Sequence, residues 1–492
     1  MKYKIHTFGC QMNYSDTERV MSVLEAMGYE EGETENEADL VIFNTCSVRK
    51  KAEDKVYGKM TAMLKLKKKR PNLIVGITGC MVRRSSTKKS AKRDKLVLSE
   101  AIDVAFRIED SAMLPSLIRE IQPDIEINTD VFEEEGGELE NYFKIAPKRE
   151  SGAQVWIPIQ TGCDKFCTFC IVPFTRGRER SRDQQEIVDE CTKAVENGAV
   201  EITLIGQTVD SYGLSVRDKV AGGFQVTKEV PNVVFNNKIF TENKNVMASA
   251  PAAAAKETAE RPFVTLLREV DKLKSKGLRR LRFTSPHPHD FSEDLIVLHN
   301  ELETLQPYIH LPVQSGSTKV LKDMRRTYTR EHYIHLIEMI RKHIPDCAIS
   351  TDIIVGFCGE SDDEFEDSYT MMEQVKWDMA FLAIYSERPG TYGTKHLDDD
   401  VPRKVKSARF TRLNQLLTEV SREQCAQFQD QTVEVLVEKA EPLKDKPGQF
   451  HCSGRTPHFK QVFFPAGRNP IGEFVQVHIK NTENFHLEGE LA

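Results

Sequence analysis

Hydrophobic positions in the first part of the chain fall into short runs separated by amphipathic stretches. Lys4 to Phe8 reads as a short strand. Ser15-Asp16-Thr17-Glu18 opens an amphipathic helix through about Met27, with Ser15 and Glu18 at capping-box spacing. Asp39-Leu40-Val41-Ile42-Phe43 is an apolar run of the kind a buried parallel strand carries. A lysine-rich helix covers about Ala52 to Lys69, and Leu73-Ile74-Val75-Gly76-Ile77 is a third buried strand. This alternation predicts an α/β fold that begins with a doubly wound parallel sheet.

Strand-like runs return after a stretch rich in Glu, Gly and Lys. They are Val155–Ile159, Glu201–Gln207, Leu281–Ser285, His310–Ser317, Ser350–Phe357 and Phe381–Ser386, alternating with helices such as Arg330–Lys342. Repeated strand–loop–helix units predict a closed or partial parallel barrel with function at the carboxyl ends of its strands. A helix from about Lys404 to Gln427 precedes period-two strands at Thr432–Val437 and Phe474–Ile479, with Gly454–Phe464 between them, as in a small antiparallel β-barrel. The expected division is 1–130 for the first domain, 131–152 for a linker, 153–425 for the barrel and 426–492 for the last module. Within the barrel, 214–261 has weak pattern and includes Ala248-Ser249-Ala250-Pro251-Ala252, which predicts a mobile surface insertion.

Composition narrows the function classes. The chain has 492 residues, enough for two to four domains, and is 39% apolar. No apolar run approaches the ~18 residues of a membrane span, and the N-terminus lacks a signal-peptide core, so a cytoplasmic, non-membrane protein is expected. The net charge of −7 does not announce a nucleic-acid binder. Arg49–Arg70 and Arg83–Lys95 are nonetheless basic, and Asp130–Glu140 is acidic. The basic stretches are either phosphate-holding surface or solvated helix faces. Eleven cysteines in such a chain favour metal or catalysis over disulfides.

Three of them, Cys163, Cys167 and Cys170, form a C-x3-C-x2-C run with Phe169 before the last. Soft thiolates this close can ligate three irons of a 4Fe–4S cluster and leave the fourth iron open to a chelating cofactor. A zinc knuckle or redox dithiol is the plainer alternative, but zinc sites show four ligands in paired groups and no such partner follows. Cys10, Cys46 and Cys80 each follow one of the first three strands. The carboxyl ends of parallel strands share one edge, where ligands bind. Three cysteines distant in sequence should therefore converge, as a second cluster site or as three buried core thiols. Gly9 and Gly79 would let backbone approach a bulky ligand there. Arg176, Arg178, Arg180 and Arg182 stand beside Phe174, and this suits phosphate and base contacts or local ion pairs.

The segments Thr7-Phe8-Gly9-Cys10-Gln11-Met12-Asn13-Tyr14-Ser15-Asp16, Asn44-Thr45-Cys46-Ser47-Val48-Arg49 and Thr161-Gly162-Cys163 through Arg176-Gly177 resemble the tRNA methylthiotransferases, a family of radical S-adenosylmethionine enzymes. The resemblance covers nearly the whole chain. It implies a six-stranded partial (βα)6 barrel, two 4Fe–4S clusters and S-adenosylmethionine. Cys163, Cys167 and Cys170 would hold the radical-generating cluster, and Cys10, Cys46 and Cys80 the auxiliary one that carries sulfur. By position Phe169, Gly206 and Gln207 would contact S-adenosylmethionine. The last module resembles the TRAM domain, an RNA-binding barrel. From Asp430 onward it carries seven Lys/Arg against nine Asp/Glu, so Arg455 and the aromatics would act locally. The implied partners are a tRNA carrying N6-dimethylallyladenosine beside the anticodon and an external electron donor, with the enzyme a monomer. Threonylcarbamoyladenosine in tRNA, or a ribosomal-protein aspartate, is the alternative substrate within the class. A non-catalytic iron–sulfur RNA-binding regulator is the alternative outside it. The chain departs from the family pattern in the length of 214–261 and in Cys358, where proline is usual. Cys191, Cys347, Cys358, Cys425 and Cys452 read as ordinary thiols.

Overall fold

A computed structural model describes residues 1–47, 50–82, 100–128, 139–149, 152–214 and 260–492. The expected insertion, the basic run Arg83–Lys95 and most of the acidic run lie outside the described residues. The described chain divides into two compact units. One holds the residues up to 149 together with 171–178; the other holds 152–170, 179–214 and 261–492.

The first unit is built on a parallel five-stranded sheet. Its strands are β1 (Lys2–Thr7), β2 (Glu30–Glu31), β3 (Leu40–Thr45), β4 (Ile74–Gly79) and β5 (Val104–Ala105), in the order β2-β1-β3-β4-β5. Both faces of β3 are buried, because helices cover both sides. Leu40 and Ile42 join the core with Val20 and Leu24 of helix α1 (Gln11–Ala26), whereas Val41 and Phe43 join the one with Val56 and Met60 of helix α2 (Lys50–Lys69). Two sequence expectations are corrected here. Helix α1 starts a turn earlier than Ser15: extended Cys10 is its N-cap, and the Cys10 N–H donates to Asn13 Oδ1 at 3.3 Å. Ser15 is buried inside the helix and accepts from Arg19 at 3.0 Å. The stretch read as linker also contains a helix, Leu139–Lys144, whose Tyr142 belongs to the α1-side core.

The second unit carries six parallel strands in two sheets. The first sheet pairs β6 (Gln154–Pro158), β9 (Glu201–Ile205) and β10 (Arg280–Phe283); the second pairs β11 (Tyr308–His310), β12 (Ala348–Val355) and β13 (Met379–Ile384). A parallel bridge, Leu281 to Leu305, joins the end of one to the approach of the other. Between β6 and β9 lies a small antiparallel ribbon, β7 (Gln160–Thr161) with β8 (Arg180–Ser181). One face of both sheets packs on helices in a common core, with Val155, Leu204, Leu281, Ile353 and Val355 among its members.

Strands β14 (Thr432–Pro442), β15 (Phe450–Arg455), β16 (Gln461–Ala466), β17 (Phe474–Thr482) and β18 (His486–Leu491) close a barrel in the order β14-β15-β16-β18-β17. The pairing is antiparallel except for β16 with β18, which is parallel, so the expectation of a wholly antiparallel barrel is corrected at that seam. Buried arginines fasten the barrel to β10. Arg282 donates to the carbonyls of Thr456 (3.0 Å) and Pro457 (2.9 Å) and to Glu201 (3.1 Å), and Arg280 donates to the carbonyl of Arg455 at 2.8 Å. Phe459 stacks on Tyr308 with ring centroids 4.5 Å apart. No helix among the described residues is long and apolar enough to cross a membrane.

Candidate functional site

The ends of β1, β3 and β4 are laced together. Asn13 Nδ2 donates to Asn44 Oδ1 at 2.9 Å and to the Thr45 carbonyl at 3.1 Å, and Asn44 Nδ2 returns a bond to the Asn13 carbonyl at 2.8 Å. The Cys80 N–H donates to the Thr45 carbonyl at 2.8 Å. The glycines make room for this lacing. A Cβ on Gly9 would lie 2.1 Å from Asn13 Oδ1 and 3.0 Å from Cys46 Cβ; one on Gly79, at φ +89°, would lie 2.4 Å from the Thr45 carbonyl oxygen. Cys46 and Cys80 are buried and Cys10 lies at the exposed rim. The surrounding protein and the neighbouring Cys80 push the Cys10 thiol up, while Arg176 pulls it down.

Arg176 therefore belongs to this site and not to an RNA-facing stripe. It is buried, pairs with the buried carboxylate of Asp16, and feels Cys80 and Cys10 electrostatically. Tyr142 donates to the other Asp16 oxygen at 2.6 Å. Arg182 is also buried, donating to the Pro158 carbonyl and Glu190, both at 2.8 Å. Of the four arginines, only Arg178 (half-buried) and Arg180 (exposed) keep solvent access. Replacing Arg176 with alanine leaves Asp16 as an uncompensated buried charge. It is expected to cost about 3–5 kcal/mol, read as a lowered urea midpoint, with Asp16→Asn in the same chain restoring part of the loss.

In the second unit the C-x3-C-x2-C loop follows β6 and β7. Phe166 sits in the left-handed region at φ +48° and turns the chain between Cys163 and Cys167. The loop is pinned at Thr168, whose N–H donates to the Met324 carbonyl at 3.1 Å and whose carbonyl accepts from Gly393 at 2.8 Å. The three cysteines are mutually close: burial first, then Cys170 and Cys167, push the Cys163 thiol well above its ordinary value. Among the described residues no three His, Cys, Asp or Glu side chains are gathered as a single-ion site. The donor chemistry fits an iron cluster. Buried thiols that resist ionisation beside one another give up their protons when a cationic metal core supplies the missing charge.

Sequence reading missed the residues that surround this loop. Arg326 donates to Cys167 Sγ at 3.4 Å, to Tyr328 Oη at 2.8 Å and to the Pro312 carbonyl at 3.0 Å. A charge-assisted donor on a ligand sulfur favours the more reduced, more negative cluster. Arg326→Gln is expected to lower that cluster's midpoint potential by about 50 mV, the equivalent of about 1 kcal/mol for one electron, measured by redox titration with EPR detection. Lys165, between the first two cysteines, is buried against Asp290. Asp210 is buried beside them and accepts the His287 N–H at 2.8 Å, and burial first, then Asp290, pushes its carboxyl up. Glu179 ties this strand end to the cysteine loop: it accepts from Thr208 (2.8 Å) and Ser211 (2.9 Å), and its N–H donates to Asp164 at 3.2 Å. Such long-range partners leave no local spacing to read; only the position of Asp210 just past the β9 end signals it.

Gly206 and Gln207 follow β9, and Phe169 packs beside the cluster of Val320, Met324, Phe357, Cys358 and Tyr385. Gln207 Oε1 and Asp210 Oδ1 are buried and lack a hydrogen-bond partner. Two orphaned oxygens just past β9 suit a cofactor that brings hydrogen-bond donors, such as an amino or ribose group. Arg455 is engaged within its own module, paired with Glu438 at 3.4 Å and lying over the Phe459 ring at 4.1 Å. It lines a groove of ≈ 480 Å³ with Glu438, Glu441, Lys439, His451 and Phe463, a mixed-charge surface rather than a basic one.

A three-cysteine loop at the carboxyl edge of parallel strands is the site of a radical S-adenosylmethionine enzyme, and the Radical SAM superfamily matches residues 157–372. The uncharacterized protein family UPF0004 matches residues 2–99, and the TRAM domain matches 427–492. The chain is 37% identical over 490 residues to tRNA-2-methylthio-N(6)-dimethylallyladenosine synthase of Acetivibrio thermocellus, spanning 100% of this chain and 91% of that one. It is also 37% identical to the synthase of that name from Bacillus cereus, across 100% of this chain and 86% of the other. The radical S-adenosylmethionine methyltransferase TsrM of Kitasatospora setae aligns at a TM-score of 0.49 and 13% identity, over 78% of this chain and 72% of that chain. The chain belongs to the tRNA methylthiotransferase family and is a radical S-adenosylmethionine methylthiotransferase.

Proposed function

We propose that the protein replaces the C2 hydrogen of N6-dimethylallyladenosine, at position 37 beside the tRNA anticodon, with a methylthio group. The observation that carries this reading is the pair of separate cysteine triads, each at the carboxyl ends of parallel strands, in a chain similar throughout to synthases named for that product. That C–H bond is neither acidic nor attached to an electrophilic enough carbon for polar substitution, so cofactors carry the hard chemistry and the protein positions them. Bound in the two triads, 4Fe–4S clusters would supply the electron that splits one S-adenosylmethionine and the sulfur that a second one methylates.

The roles of the residues follow. Cys163, Cys167 and Cys170 would hold the radical-generating 4Fe–4S cluster. Arg326 and the Thr168 pins fix their loop, while Phe169, Gly206 and Gln207 seat S-adenosylmethionine, with Asp210 Oδ1 as an acceptor beside it. Cys10, Cys46 and Cys80 hold the sulfur-bearing cluster, with Arg176 set by Asp16 and Tyr142 as its nearby positive charge. In this reading 1–130 is the methylthiotransferase domain, 153–425 the radical domain and 426–492 the RNA-holding module, acting as a monomer with an external reductant. Deleting that module is a poor test of RNA binding, because Arg280 and Arg282 would lose their buried partners; substitutions at exposed Arg180 and Lys439, followed across a salt series, avoid this. The function is tested by incubating reconstituted protein, reductant, S-adenosylmethionine and tRNA bearing N6-dimethylallyladenosine, then digesting to nucleosides for mass spectrometry. Product heavier by a methylthio group supports the reading; unchanged dimethylallyladenosine refutes it.

A further inference from the structure

The two sheets of the second unit each turn one face to the common core. On the other face of the β11-β12-β13 sheet, Phe381 and Asp352 keep solvent access. On β12 and β13, Ile349, Ile353, Val355 and Ala380 belong to the core, whereas Asp352 and Phe381 alternate to the opposite side. Asp352 and Phe381 are register partners, so their side chains stand next to each other on that face. Phe381 is 47% exposed, the one exposed aromatic inside a strand among the described residues. Its nearest ring is His310, edge-on at 5.8 Å. His310 is itself fixed, with Nδ1 2.8 Å from Ser350 Oγ and Nε2 3.7 Å from Asp352 Oδ2, while the Asp352 side chain keeps 40% of its surface.

The layer has a floor and a ceiling. Two residues before His310, Tyr308 is capped by the stacked Phe459 of the last module. Two residues after Asp352, Ile354 packs on the cluster that includes Phe169, the neighbour of Cys170. Two residues along a strand rise about 7 Å, so the layer lies that far along the strand from the residue that shares a cluster with Phe169. An exposed aromatic face, a carboxylate acceptor and an imidazole in one layer match a flat heteroaromatic ring with an N–H donor and an apolar substituent.

We propose that Phe381, Asp352 and His310 form the seat of the acceptor base: Phe381 stacks on the adenine and its N6-alkyl group, and Asp352, oriented by His310, accepts a hydrogen bond from the N6 hydrogen or a ribose hydroxyl. The proposal rests on the tRNA reading above and names the group that reads the prior alkylation. An adenine ring is also part of S-adenosylmethionine; the orphaned acceptors Gln207 and Asp210 follow β9 in the other sheet, and the cofactor-affinity measurement below separates the two ligands.

The test uses the full-length reconstituted protein and two anticodon stem-loop RNAs that differ only in adenosine or N6-dimethylallyladenosine at position 37. Wild type should bind the alkylated loop more tightly. Phe381→Ala should weaken that binding ten- to a hundredfold and bring the two loops to equal affinity, while Phe381→Tyr keeps the preference. Asp352→Asn should raise KM for the alkylated loop. Iron content and S-adenosylmethionine affinity of each variant are measured alongside. Phe381→Ala that still prefers the alkylated loop, or wild type with no preference, overturns the proposal. So does a loss of S-adenosylmethionine affinity that matches the loss for RNA, which would give the face to the cofactor. Wild type that binds the alkylated loop preferentially yet never methylthiolates it refutes the function reading and leaves the base seat standing.

Discussion

Alanine at Cys163, Cys167 and Cys170 together is expected to cut the iron of anaerobically reconstituted protein from about eight atoms to about four. The same variant is expected to lose all reductive cleavage of S-adenosylmethionine. The structural ground is the independence of the two triads in the chain: these three cysteines lie on one loop of the second unit, and Cys10, Cys46 and Cys80 lie in the first. Their loop is held by backbone bonds at Thr168 as well as by the Arg326 and Lys165 bonds to Cys167 and Cys163 Sγ, so the substitutions should remove ligands without unravelling the strand ends. Iron assay and chromatography for 5′-deoxyadenosine read the two effects separately. Full iron retention would end the ligand assignment; iron loss with continued cleavage would move the radical chemistry elsewhere.

The complementary variant should divide the reaction at a different point. With Cys10, Cys46 and Cys80 changed to alanine, iron again falls to about four. 5′-Deoxyadenosine should still form, but no methylthio nucleoside should accumulate. Cys46 and Cys80 are buried and small, and the Asn13–Asn44–Thr45 bonds that shape the strand ends do not run through sulfur, the Cys10 Sγ contact to Asn13 at 3.5 Å lying beside them. Radical formation without product is therefore a chemical deficit rather than an unfolding one. Undiminished product would remove these cysteines from sulfur delivery.

What could be read in advance was what is written locally. The C-x3-C-x2-C spacing and the cysteines after the three strands are short-range signals, and the apolar runs of β3 and β4 need both faces buried to make sense. Two-residue strands such as β2 and β5 carry no periodicity and cannot be seen. Ser15 and Glu18 gave a false helix start because Cys10, an unusual N-cap, outranked them once Asn13 closed back on its N–H. Arg176 was misplaced for a deeper reason. Four alternating arginines look like a cationic stripe, and nothing nearby in sequence reveals that Asp16 waits for one of them. The parallel β16–β18 seam is likewise a product of barrel closure, invisible in period-two alternation. Phe381 was read only as part of a strand; its exposure depends on what covers each face of the sheet.

The Arg176–Asp16 pair spans 160 residues of chain, and this has a consequence for synthesis. A ribosome adding roughly 5–20 residues per second needs on the order of ten seconds to cover that distance. Through that interval the Asp16 carboxylate waits for the guanidinium, and the Tyr142 hydroxyl that also bonds it is itself made late. The first unit is thus encoded first but completed out of order, its last buried charge neutralised by a segment that arrives after the second cysteine loop. A fragment cut at residue 149 would be frozen in that waiting state, with the boundary suggested by its sequence falling short of the boundary required by its electrostatics.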